Sequence, residues 1–178
     1  MADKRRGDPG PLAGLDGAAE IGMAETMLKA RLTPLQLMVL ACRYAPSKLR
    51  CECRADCCSG WRTNPTWRTA IADVAGEAVY HALPAREHVD QRYVAAVLLR
   101  EYGAQKIALT DVGASLGMPL GTCTNRKRKI LGWLLRPKAL PEVKREDGTI
   151  SQPAQAQGIE VSAFALAEEV LRGGGFIE

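Results

Sequence analysis

The segment from residue 93 to 135 constrains this chain most. It reads YVAAVLLREYGAQKIALTDVGASLGMPLGTCTNRKRKILGWLL. An apolar helix runs into a short helix that closes on a glycine, a tight turn comes next, and then a helix crowded with Arg and Lys. Thr110 or Asp111 can cap the short helix, and Leu109, Val112 and Leu116 give it an inward stripe. Gly113 is small where the next helix must approach closely. Gly117 can take the left-handed backbone that ends a helix, Met118 can plug the corner, and Pro119 suits the turn or the first position of the next helix. A helix from Leu120 to Leu135 then turns Cys123, Ile130 and Leu134 inward, with Leu131 and Trp133 widening the stripe. Its opposite face offers Thr122, Asn125, Arg128 and Lys129.

The rest of the chain punctuates into helices as well. Residues 1–17 are rich in Gly, Pro and charge and read as a flexible tail. Residues 18–29 favour helix. Thr33-Pro34 is an N-cap followed by proline at the first helical position, opening a helix expected to bury Leu37, Leu40 and Tyr44 and to end at Pro46. Asn64-Pro65 repeats the signal and opens a helix with Trp67, Ile71, Val74 and Ala78 on one face, ending at Pro84. A further helix is expected from Glu87 to Tyr102, stopped by Gly103. After Arg136, three prolines and two glycines make 137–158 a linker, and 159–172 a last helix. No segment shows sustained strand alternation. The expected fold class is all-α: a helical bundle over 18–136 with a Cys-rich loop at 51–60, and a helix-turn-helix at 109–135.

The 178-residue chain carries a net charge of only +4, so the distribution matters more than the total. From Arg126 to Arg145 there are eight basic residues and one acid, Glu142. Local positive charge on one helix is how a nucleic-acid footprint looks. In a docked helix-turn-helix the N-terminal part of the second helix reaches base edges. Asn125 has the donor and acceptor geometry for adenine and Arg128 that for guanine. Thr122 and Thr124 stand on the same stretch. Arg126, Lys127, Lys129 and Arg136 suit phosphates, which supply affinity without sequence information. The expected partner is double-stranded DNA.

The stretch LREYGAQKIALTDVGASLGMPLGTCTNRKRKILGWL is similar to region 4 of bacterial sigma factors, the helix-turn-helix that reads a promoter element. The shared features are Tyr102 closing one helix, Leu116-Gly117 closing the short one, Gly121-Thr122-Cys123 leading into the basic helix, and Arg126. The chain departs from that pattern at Lys127, where an apolar residue is usual. Together with a cysteine cluster in a small protein, this resembles the Q-type late-gene antitermination proteins of lambdoid phages. That resemblance implies binding near a late promoter, engagement of bacterial RNA polymerase, read-through of terminators, and a place in the host cytoplasm. The other reading of the same residues is a conventional repressor or activator, forming a homodimer through Ile159 to Leu171.

Cys51, Cys53, Cys57 and Cys58 fall within eight residues of sequence. Four soft thiolates suit Zn²⁺, although the spacing is not the usual paired C-x2-C. Cys42, His81 and His88 are the alternatives for one ligand; burial of the thiols and transient redox pairing are the other readings of the cluster. Trp61, in the loop after the cysteines, is the better candidate for an interface and Trp67 for the core. No enzyme is expected. The two histidines sit in no triad or metalloprotease motif, and no phosphate-binding glycine loop precedes a helix. A cysteine-dependent activity of Cys57 or Cys58 with His81 has no local signature. No apolar run approaches the ~20 residues of a membrane span.

Overall fold

In a computed structural model, the described residues are 11–53, 59–83, 90–103, 106–145, 148–152 and 154–177, with the side chains of 11–16 and 152 excepted. Among them the architecture is helical, with seven helices and two small two-stranded sheets: α1 (Pro11–Arg31), α2 (Pro34–Tyr44), β1 (Lys48–Arg50), β2 (Trp61–Thr63), α3 (Pro65–Ala82), α4 (Gln91–Tyr102), α5 (Leu109–Ser115), α6 (Leu120–Leu135), β3 (Val143–Lys144), β4 (Ile150–Gln152) and α7 (Ile159–Gly173). No helix among the described residues is long and apolar enough to cross a membrane.

The two cap-then-proline signals both open helices. Thr33 forms a capping box with Gln36: Gln36 N–H donates to Thr33 Oγ1 at 3.2 Å, and Thr33 N–H to Gln36 Oε1 at 2.9 Å. Two donors that the first helical turn leaves without partners are thereby satisfied. Asn64 caps α3 by accepting from Thr66 N–H at 3.1 Å, while its amide donates to the Pro46 carbonyl at 2.8 Å. One buried amide thus fixes the start of α3 to the chain leaving α2, at the root of the β1–β2 hairpin.

The main core lies between α2, α3, α4 and α6. α3 sits at its centre, and its predicted face, Trp67, Ile71, Val74 and Ala78, is buried. Around it close Val39 and Cys42 from α2, Tyr93, Val94, Val97 and Leu98 from α4, and Ile130 and Leu134 from α6. The two buried aromatics with polar ends both find acceptors. Trp67 Nε1–H donates to the Cys42 carbonyl at 3.0 Å, and Tyr93 O–H to the Cys123 carbonyl at 2.7 Å. Each net bond contributes only ~1 kcal/mol, but an unmet buried group would cost more. Burial pushes the Tyr93 hydroxyl up to about 12.

α2 departs from expectation. Val39 and Cys42 are its most buried residues, Leu37 and Leu40 are half-buried, and Tyr44 is exposed. The reason is two-sided packing. One face of α2 meets α3, and another meets α7, where Leu37 and Leu40 join Leu32, Ala167 and Val170 in a second, smaller cluster that also takes in α1. Tyr44 instead stacks on Phe164 of α7, ring centroids 6.2 Å apart. The helix expected from Glu87 begins, in its described part, at Gln91 with Asp90 as its cap; residues 84–89 lie outside the described residues. Gly103 does stop it, its N–H bonding the Leu99 carbonyl at 2.9 Å.

The stretch 137–158, expected as a linker, carries the β3–β4 hairpin and an antiparallel bridge between Leu140 and Gln155. Strands of two and three residues leave no alternation to read. The same holds for β1 and β2, which pair Lys48 with Thr63, Leu49 with Arg62 and Arg50 with Trp61. Trp61 therefore lies in a strand rather than a loop, and it is 54% exposed.

A polar cluster fastens α7 to the bundle. Glu160, at the start of α7, accepts from Arg43 Nε at 2.8 Å and from the Tyr102 hydroxyl at 2.6 Å. The Arg43 guanidinium lies 4.9 Å above the Tyr102 ring and reaches Glu101 at 3.6 Å. Burial raises the Tyr102 hydroxyl far above its ordinary value, with the Glu160 bond adding to it. Tyr102 thus remains a donor at any physiological pH.

Candidate nucleic-acid interface

α5 and α6 meet through a tight corner. Met118 N–H reaches back to the Gly113 carbonyl at 2.9 Å and Gly117 N–H to that of Ala114 at 3.0 Å. This pair of bonds is the Schellman pattern, and it needs a left-handed residue just past the helix. Gly117 supplies it, with φ +67. Pro119 then stands in the N-cap position of α6, its carbonyl taking the Cys123 N–H at 3.1 Å. The cap expected from Thr110 or Asp111 is not made. α5 starts from Ala108 with no side-chain cap, and Thr110 donates instead to Asp111 at 3.3 Å. Leu109 already opens α5, so both polar residues fall inside the first turn, beyond the position from which a side chain can cap.

The two helices touch where neither has bulk. Gly113 is buried, and a Cβ built on it would overlap Cys123 Sγ. Cys123 cannot yield easily, since it is 4% exposed and its carbonyl is held by Tyr93. α6 thereby keeps a fixed angle to α5, and its buried row is the expected one: Cys123, Ile130 and Leu134.

The predicted contact residues separate into three groups. Thr124 and Arg128 are exposed and Asn125 and Lys129 half-exposed, on the side of α6 away from the buried row. Arg128 Nη2 donates to Asn125 Oδ1 at 3.0 Å, so the two side chains expected to read bases are already oriented together. Thr124 donates to the Leu120 carbonyl at 3.1 Å, and Thr122 is half-buried. Arg126 and Lys127 flank the buried row. Arg126 Nη1 lies 3.4 Å from Met118 Sδ in the corner. Lys127 comes four residues after Cys123 and three before Ile130, which is the inward spacing of a helix. It lines a crevice with Tyr93, Arg100, Leu109 and Thr124. Arg136 closes α6, donating to the Ala156 carbonyl at 2.9 Å.

Cys51 stands at the far end of the β1–β2 hairpin. Its N–H bonds the Gly60 carbonyl at 2.9 Å, which extends the ladder by one step. Cys51 is half-buried and Cys53 exposed; Cys57 and Cys58 lie outside the described residues, as does His88. Among the described residues no three metal-ligating side chains gather. Of the alternative ligands, Cys42 lies in the main core, where burial pushes its thiol up to about 12. A protonated thiol there is a poor ligand, since metals bind thiolate. His81 lies at the end of α3 beside Trp133. The tertiary contacts that no sequence signal announces, above all Glu160 with Arg43 and Tyr102, position α7 rather than the α6 face.

Comparison with protein-family models, with curated proteins and with solved structures finds no match to the chain.

Proposed function

We propose that α5 and α6 form a helix-turn-helix and that the protein is a DNA-binding transcription regulator, with α6 as the helix that enters the major groove. The observation that carries this reading is the division of α6. One row, Cys123, Ile130 and Leu134, is locked into the core, while Thr124, Asn125, Arg128 and Lys129 lie on the outer side. The Gly117 corner and the close Gly113–Cys123 approach brace the helix so that this side is presented as a rigid surface. Arg128 contacts a guanine edge, Asn125 an adenine edge, and Lys129 and Arg136 the phosphates.

Selection of duplexes from a random library followed by mobility-shift titration tests this. Arg128→Ala should weaken binding to the selected duplex by ~1–3 kcal/mol and relax preference at one base pair. Equal affinity and equal preference would remove Arg128 from the reading face.

Within that reading, the chain acts as a phage late-gene antiterminator, engaging bacterial RNA polymerase near a late promoter. The support is the sigma-like order of residues 99–134. A homodimeric repressor joined through α7 is the second reading. It is less favoured because Ala163, Ala167 and Val170 of α7 are already covered within the chain. Co-purification with polymerase, absent for a simple repressor, separates the two.

The loop 51–60 is proposed to hold Zn²⁺ through Cys51, Cys53, Cys57 and Cys58, since four soft thiolates within eight residues of sequence suit that ion. Zinc there would rigidify the hairpin in the way structural sites contribute folding energy. Elemental analysis of protein prepared without chelator should find about one zinc per chain; metal-free protein with an unaltered melting curve would exclude it.

A further inference from the structure

A cleft of about 600 Å³ lies beside the α6 face, between the end of α3, the second half of α6 and residues 154–157. That is within the ~300–1,000 Å³ of pockets that hold small molecules. Its walls combine two chemistries. His81 and Trp133 present nearly parallel rings, 6° apart with centroids separated by 6.1 Å. Glu77, one turn earlier on α3, lies 3.3 Å from His81 Nε2 and helps hold the ring. Lys129 and Arg136 line the same cleft. Arg136 is fixed through one nitrogen to the Ala156 carbonyl, and a guanidinium has further donors to offer.

Flat aromatic faces next to fixed cations are the means by which proteins hold unpaired nucleotides, with bases stacked on the rings and the backbone tracking the charge. A duplex would not fit this use, since its bases are already stacked and paired. The cleft is also contiguous with the outer row of α6, because Lys129 belongs to both.

We propose that this cleft holds an unpaired nucleotide of a nucleic-acid strand, with the base against Trp133 and His81 and the phosphate toward Lys129 and Arg136. The inference rests on α6 being a nucleic-acid surface but adds a different ligand, a single strand. DNA opened at a promoter has such a strand.

The test uses the full chain with Trp61→Phe as background, so that fluorescence reports Trp133 above the buried Trp67. An oligothymidylate, free thymidine monophosphate and a blunt duplex of matched length are titrated separately. The oligothymidylate should quench saturably, and Trp133→Leu should weaken its binding about 5- to 150-fold, the range for removal of one base–aromatic stack. His81→Ala should weaken it severalfold, and both variants should keep the duplex affinity of the background protein. No saturable quenching, or unchanged oligothymidylate affinity in both variants, overturns the proposal. If Trp133→Leu fails to fold, as judged by circular dichroism, the exposed His81→Ala decides alone. Monophosphate binding as tight as the oligomer would overturn the strand in favour of a free nucleotide. Absent duplex binding with the oligothymidylate result intact would count against the helix-turn-helix reading and leave the cleft standing.

Discussion

Arg128→Ala combined with Lys129→Gln and Arg136→Gln is expected to abolish specific duplex binding at moderate salt while the protein stays folded. Removing one phosphate contact reduces the slope of log affinity against log salt by about 0.9, so removing two reduces it by about 1.8. At ~0.1 M salt that corresponds to roughly 60-fold. Loss of the proposed Arg128–guanine pair adds a further ~1–3 kcal/mol, or roughly 5- to 150-fold. If these effects add, affinity falls several hundredfold or more. Arg128 is exposed and Lys129 half-exposed, so neither change opens the core. Arg136 does bond the Ala156 carbonyl, and that single bond accounts for ~1 kcal/mol of stability at most. Arg126 and Lys127 make the control. One lies against Met118 and the other in the Tyr93 crevice, so their exchange for Gln should cost less duplex affinity than exchange of the outer residues. Equal reductions from both sets would mean diffuse attraction and not a docked helix.

Gly113→Val is expected to destabilise the fold by about 3 kcal/mol, the upper part of the range for overpacking a core. In a chain of this size that lowers the melting temperature by roughly 6–12 °C. The first added carbon would already meet Cys123 Sγ, and valine adds two more. The strain falls on the α5–α6 contact, so duplex affinity should fall with stability. Two comparisons identify the cause. Gly117→Ala meets no neighbour but forces alanine into a left-handed backbone at φ +67, with a cost of ~1–2 kcal/mol. Cys123→Ala, which removes the obstructing sulfur, should recover part of the stability that Gly113→Ala removes. Gly113→Val with unchanged melting would contradict the close approach.

These two glycines also mark what a single sequence can reveal. Short-range rules located them. A helix that ends Leu-Gly must find a left-handed residue, and a stripe at Cys123, Ile130 and Leu134 fixes which side of α6 is inward. Thr33 and Asn64 announced their helices for the same reason, because a cap and its target N–H lie within three residues. The features that escaped are long-range. α2 buries Val39 and Cys42 because α3 and α7 enclose it from two sides, and a single-stripe rule looks for one side only. Glu160 is tied to Arg43 across 117 positions, and nothing in either neighbourhood signals the other. The hairpins β1–β2 and β3–β4 are too short to alternate. At the candidate site, charge pattern pointed to α6, although the helical spacing from Cys123 and Ile130 already sets Lys127 on its inward row; only packing shows that His81 and Trp133 share a cleft with Lys129 and Arg136.

Amide chemical-shift mapping of the full chain with a library-selected duplex tests the groove-docked α6 most directly. The largest shifts should run along the outer row, Gly121, Thr124, Asn125, Arg128 and Lys129, with smaller ones at the Gly117 corner and little change at Val74 or Val97 in the core. Shifts concentrated elsewhere, for example on the Lys48, Arg50 and Trp61 side of the hairpin, with the outer row of α6 undisturbed, would contradict a docked α6.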